Sequence, residues 1–188
     1  MNAMRNANVT GIVWLLVRLY VGYEWLMGGI EKVFGEGSVV WVGAKAGTAV
    51  AGFLKGAIAK SALAEGFDPI KTPHPAVQEW YAILIRDVFL LNAALFSYLM
   101  AFGELLVGLA LILGIFTRFA AAMSVVMSLS LFLAGAVSTI PQLLTLSMII
   151  MLVGTNAGRW GLDYVAWPLE VKLFRAAQER FAPTAHPS

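Results

Sequence analysis

The chain contains no cysteine, which excludes disulfides, thiol redox chemistry and cysteine-ligated iron–sulfur clusters within it. Histidine is nearly absent as well. Only His74 and His186 occur, and neither falls in an apolar stretch, so a haem held between two histidines inside a membrane is excluded. Charge is scarce: 13% of residues are charged against 60% hydrophobic, and the mean hydropathy is +0.79. Soluble domains carry about 25% charged residues and seldom exceed about 50% apolar ones. The composition therefore predicts an integral membrane protein. A net charge of +2 leaves no footprint for nucleic acid. No nucleotide-binding motif, metal-ligand cluster, internal repeat or low-complexity stretch is present, so neither flavin nor metal is expected to be held by this chain.

What the sequence has is long apolar runs. They predict an all-α integral membrane protein, a bundle of four transmembrane helices over about 9–33, 96–116, 119–137 and 141–154, with an external helical cap over about 34–90. Within the cap, "AVAGFLKGAIAKSAL" places Phe53, Leu54, Ala57, Ile58 and Ser61 at helical spacing. "HPAVQEWYAILIRDVFLL" reads as a helix opening at Pro75, where the missing N–H costs nothing. After the fourth run, "WPLEVKLFRAAQERF" sets Leu169, Leu173, Ala177 and Phe181 against Lys172, Arg175, Glu179 and Arg180, the pattern of an amphipathic surface helix. The expected organisation is a membrane domain over 1–167 and a cytoplasmic amphipathic helix and tail over 168–188.

The N-terminus mimics a signal peptide, with Arg5 before an apolar run, but Arg18 interrupts that run and no A-x-A-like site follows, so a retained membrane helix is expected. Arg5, Arg118 and the group Arg159, Lys172, Arg175 and Arg180 flank alternate ends of the four runs, whereas "GAVSTIPQ" carries no charge. The positive-inside rule then puts both termini in the cytoplasm of a multi-pass protein of the cytoplasmic (inner) membrane.

The first run is unusual in carrying charge. In "RLYVGYEWLMGGIEK", Arg18, Gly22, Trp25, Gly29 and Lys32 share one helical stripe, and Glu24, Gly28 and Glu31 share another. A charge at mid-bilayer costs at least about 2.5–3.5 kcal/mol, so Arg18 and Glu24 should face the bundle and find partners. Glu104, the only charge in the second run, is the expected ion-pair partner of Arg18 from matched depth. Lys32 and Glu31 read as end residues that snorkel to water. Two readings stand open. One is a structural Arg18–Glu104 bond that fixes helix register. The other is a polar cavity in which Arg18 or Lys32 receives an anion or a quinone oxygen while Glu24 or Glu104 handles protons. Trp25, Trp41, Trp80 and Tyr81 gather near the outer surface as an aromatic belt or a stacking platform for a quinone ring. His74 reads as a loop residue with a lesser role as a proton partner. Ser124, Ser128 and Ala120 form a small-residue packing seam.

These segments also resemble a known family. "RLYVGYEWLMGGIEKVFG", "GELLVGLALILGIFTR" (Gly103 to Arg118) and "GRWGLD" (Gly158 to Asp163) resemble, in order and spacing, the motifs of the DoxX/DoxD membrane proteins; "GFLKGAIAKS" and "HPAVQEWYA" look like the DoxD side. The resemblance implies a membrane subunit passing electrons from thiosulfate to quinone, together with a DoxA-like subunit. It leaves open the alternative of a non-catalytic docking subunit in a larger respiratory complex. Glu24 and Glu104 would be catalytic, and Arg18, Lys32, Trp25, His74 and Trp80 would bind substrate or quinone. Arg118, Arg159 and Asp163 would form the cytoplasmic end motif.

Overall fold

The computed structural model describes residues 2–153, with side chains from Gly11 onward. These residues form only helices, turns and loops, with no strand among them beyond one isolated bridge between Ser61 and Val77. The elements are α1 (Asn2–Phe34), α2 (Ser38–Trp41), α3 (Thr48–Ile58), α4 (Glu79–Leu84), a π-helical turn (Ile85–Phe89), α5 (Ala93–Leu113), α6 (Thr117–Leu133) and α7 (Ile140–Val153). The expected C-terminal amphipathic helix and the Arg159–Asp163 motif lie outside the described residues.

α1, α5, α6 and α7 pack side by side in a closed ring: α1 on α5, α5 on α6, α6 on α7, and α7 lightly on α1. The α1–α5 contact is the closest, because glycines face each other across it. A Cβ built on Gly108 would strike the backbone nitrogen of Leu26 and lie 2.6 Å from its Cα; one built on Gly29 would lie 2.6 Å from the Cα of Leu105. Only hydrogen fits at those points, the small-residue packing that lets membrane helices associate through backbone contact. The pairing is antiparallel, with Gly29 opposite Leu105 and Gly22 opposite Ile112. α5 ends at Gly114, whose left-handed φ of +66° lets the chain turn sharply toward α6.

Two cores hold the described residues together. The bundle core joins Val21 and Trp25 of α1 to Val107, Leu111, Ala120, Leu143 and Ile150. The cap core joins Val50, Leu54 and Ala57 of α3 to Tyr81, Ala82, Ile85 and Ala134. The Tyr81 hydroxyl donates to the carbonyl of Ser130 at 2.8 Å and ties the cap to α6. The Ser97 hydroxyl donates to the carbonyl of Trp41 at 2.6 Å and ties α2 to α5.

Among the described residues one helix, Ala93–Leu113, is long and apolar enough to cross a membrane, and only 33% of that apolar window is buried within the protein. Its outward face, with Leu99, Phe102, Leu106 and Leu109, presents hydrocarbon rather than polar groups. α6 and α7, at 17 and 14 described residues, are shorter than the about 20 needed for a perpendicular crossing. α1 has ample length, 33 residues, but is diluted by its charges.

Candidate functional site

The capped end of the bundle carries Glu24, Glu31 and Lys32 of α1. At 100° per residue, Glu24, Gly28, Lys32 and Trp25 fall within an arc of about 100°, between the two stripes read from the sequence. A helical side chain leans toward the N-terminus of its helix, and Lys32 does so here. Its ammonium comes back one turn, donates to the carbonyl of Gly28 at 3.3 Å, and forms an ion pair with Glu104 Oε2 at 2.7 Å. The Glu104 side chain is 5% exposed and that of Lys32 20%. The absence of a side chain at Gly28 makes this possible, since a Cβ there would lie 2.7 Å from Glu104 Oε2. The ring of Trp41, held by the Ser97 bond to its carbonyl, stands 4.9 Å from the ammonium.

Beside this pair lies a cavity of about 300 Å³. Glu24, Trp25, Gly28 and Lys32 of α1 and Met100 and Glu104 of α5 form one side of it. Leu131, Thr139, Ile140 and Leu143 form another, and Trp41, Val50 and Phe53 roof it from the cap. The wall is mostly apolar; its charged groups are two carboxylates and one ammonium, and Thr139 adds a hydroxyl-bearing side chain. Glu24 is half-buried and makes no hydrogen bond or ion pair with the described residues.

Trp25 is fixed from below. Its indole N–H donates to Ser124 Oγ at 2.6 Å, and that hydroxyl is 2.6 Å from Ser147 Oγ on α7. All three residues are buried. Ser124, expected only to pack helices, thus sets the orientation of a cavity wall. Ser147 was not singled out from the sequence; its place one turn beyond Leu143, on the inward face of α7, is the signal for it.

Several expectations change. Glu104 pairs with Lys32 rather than with Arg18. The glycine-set register puts Glu104 level with Gly28, while Arg18 lies ten residues, about 15 Å, further along α1. Arg18 is 1% exposed, engaged within the protein, and does not line the cavity. Lys32 snorkels inward, not to water. His74 and Trp80 are exposed on the cap, away from the cavity lining, and Trp80 is bonded to the side chain of Gln78. Arg118 is exposed at the start of α6, at the opposite end of the bundle. The structure brings together Glu24, Trp25, Lys32 and Glu104, and leaves Arg18, His74, Trp80 and Arg118 outside.

Among known proteins, the family model described as DoxX matches residues 13–136, which include α1 from Val13 onward, the cap, α5, α6 and every cavity residue up to Leu131. No curated protein and no solved structure matches the chain.

Proposed function

The chain belongs to the DoxX family of membrane proteins, and from that premise we propose that it is the membrane subunit of a redox system whose cavity receives the headgroup of a quinone. One observation carries the reading: the Lys32–Glu104 pair borders a cavity of about 300 Å³ that is mostly apolar and flanked by Trp25 and Trp41. A flat, neutral ring with carbonyl oxygens suits such a place. The tryptophans offer faces for stacking. An ammonium has three donors; two are taken by Glu104 and Gly28, and the third is available to a carbonyl oxygen. Glu104 supplies the carboxyl nearest to that oxygen for proton exchange.

In this proposal α1, α5, α6 and α7 all span the bilayer of the cytoplasmic membrane, α6 and α7 drawing on flanking residues for length. The termini face the cytoplasm and the cap lies outside. Electrons come from a partner, such as a DoxA-like or other respiratory subunit. Thiosulfate is the finer candidate for the reductant. A dianion would meet Glu24 and Glu104 against one lysine, which favours its oxidation on the partner rather than in this cavity. A non-catalytic docking subunit is the second reading, and it is favoured by the fact that Lys32 and Glu104 already satisfy each other.

The test is lipid analysis of protein purified from its native membrane in mild detergent. Quinone retained in near-stoichiometric amount, and lost from Trp25→Leu and Lys32→Leu proteins that remain folded, is the expected result. Protein that carries no quinone and does not bind added quinone overturns the reading in favour of the docking subunit.

A further inference from the structure

The proposed quinone site leaves one charged cavity group unused. Glu24 lines the cavity half-buried with no partner among the described residues, whereas the other two charges satisfy each other. An ionised carboxylate only accepts hydrogen bonds. Facing a quinone carbonyl, it would set lone pair against lone pair. Facing a phenolic O–H, it makes a charge-assisted hydrogen bond, which is shorter and roughly twice as strong as a neutral one.

The spacing suits a ring held at both ends. The Lys32 ammonium is drawn back to the level of Gly28 by its bond to that carbonyl. Gly28 stands one turn beyond Glu24, about 6 Å along the axis, and the Glu24 side chain leans further toward the N-terminus of α1, so the two groups stand more than one turn apart, with room for a ring and its hydrogen bonds between them. Lysine then donates to one oxygen and Glu24 accepts from the other, with Trp25 and Trp41 bounding the ring between them.

Resting on the quinone reading above, we infer that Glu24 makes this cavity selective for the reduced form, a 1,4-dihydroxyaryl headgroup, over the quinone. Glu24 is the specificity-determining residue, and Lys32 holds either form through the opposite oxygen. The site is therefore one from which a hydroquinone leaves slowly or at which it is taken up, according to the direction in which the partner passes electrons.

The test is calorimetric titration of the full chain in lipid nanodiscs with decyl-benzoquinone, with its hydroquinone under anaerobic conditions, and with the dimethyl ether of that hydroquinone. The hydroquinone should bind about tenfold more tightly than the quinone, the ratio expected for one charge-assisted hydrogen bond. The ether, which keeps the ring but has no O–H, should lose that advantage in the unaltered protein. In Glu24→Gln, whose amide donates as well as accepts, the ratio should fall to near one or reverse. Equal binding of the two forms, or a preference that survives in the ether or in Glu24→Gln, overturns the inference and leaves the quinone reading standing. Absence of binding by every probe to folded protein overturns that reading and the inference together.

Discussion

Lys32 and Glu104 are 72 positions apart in sequence and 2.7 Å apart in space, across the closest helix contact among the described residues. The pair sits where a side chain at Gly28 would displace the carboxylate, so its geometry belongs to the backbone packing of α1 and α5 as much as to charge. Removing one member of a buried pair leaves the other uncompensated, a loss of about 3–5 kcal/mol. Lys32→Leu and Glu104→Leu should each lower the thermal unfolding temperature in detergent sharply, and the double substitution should regain much of the loss. Arg18→Leu combined with Glu104→Leu should instead be additive, as expected of residues without a shared contact. Coupling between Arg18 and Glu104, or a neutral Lys32→Leu, would sink the assignment.

Glycine substitutions should divide by what a methyl group meets. Gly108→Ala places its Cβ against the Leu26 backbone, which cannot yield without parting α1 from α5. Loss of folded yield is expected, read by size-exclusion chromatography. Gly52→Ala on α3 meets nothing within 4 Å, and should be neutral or stabilising by up to about 1 kcal/mol through helix propensity.

Ser124→Ala removes the acceptor for a buried indole N–H, a cost of about 1–3 kcal/mol. The specific signature is in Trp25 itself. Its indole hydrogen-bond marker in ultraviolet resonance Raman spectra should shift toward the non-bonded position in Ser124→Ala and be unchanged in the exposed-site control Ser130→Ala. An unshifted marker in Ser124→Ala would show that the bond between Trp25 and Ser124 is not made.

Burial raises the pKa of Tyr81 above its ordinary value of 10.0, outweighing the opposing hydrogen bond to Ser130. A group whose folded pKa is raised contributes stability that is complete below the unfolded value and lost as pH rises through the folded one. The cap should therefore hold firm to about pH 10 and loosen above it. Hydrogen exchange in 79–85 should accelerate in that alkaline window, and Tyr81→Phe should flatten the dependence. Equal pH dependence in both proteins would contradict it.

Helical class, the glycine faces and the need of the charges within α1 for partners inside the bundle were legible in the sequence because each depends on local composition or spacing. The ion-pair partner was not. Depth was counted from helix ends taken to be level, whereas Gly22 of α1 stands opposite Ile112, next to the last residue of α5, so α1 runs on well past the inner end of α5. Register is decided by where glycine backbones touch, at Gly29 with Leu105 and Gly108 with Leu26, a tertiary fact that no single helix contains. Lys32 was misjudged for the same reason: a long cationic side chain near a helix end reaches for water or for a carboxylate, and only the neighbouring helix decides which. Ser147 carried no motif at all, and its role depends on three helices meeting.

The hydrogen-only contact between α1 and α5 leaves those two helices no freedom to slide, for any displacement would drive backbone into backbone. α6 and α7 pack on each other along their length, whereas α7 meets α1 only lightly. The bundle thus behaves as two stiff leaves with one clamped side. A change in the volume of the chamber would come most readily at the seam between α1 and α7, the lighter of the two contacts between these leaves, on whose two sides Glu24, Thr139 and Ile140 line the chamber.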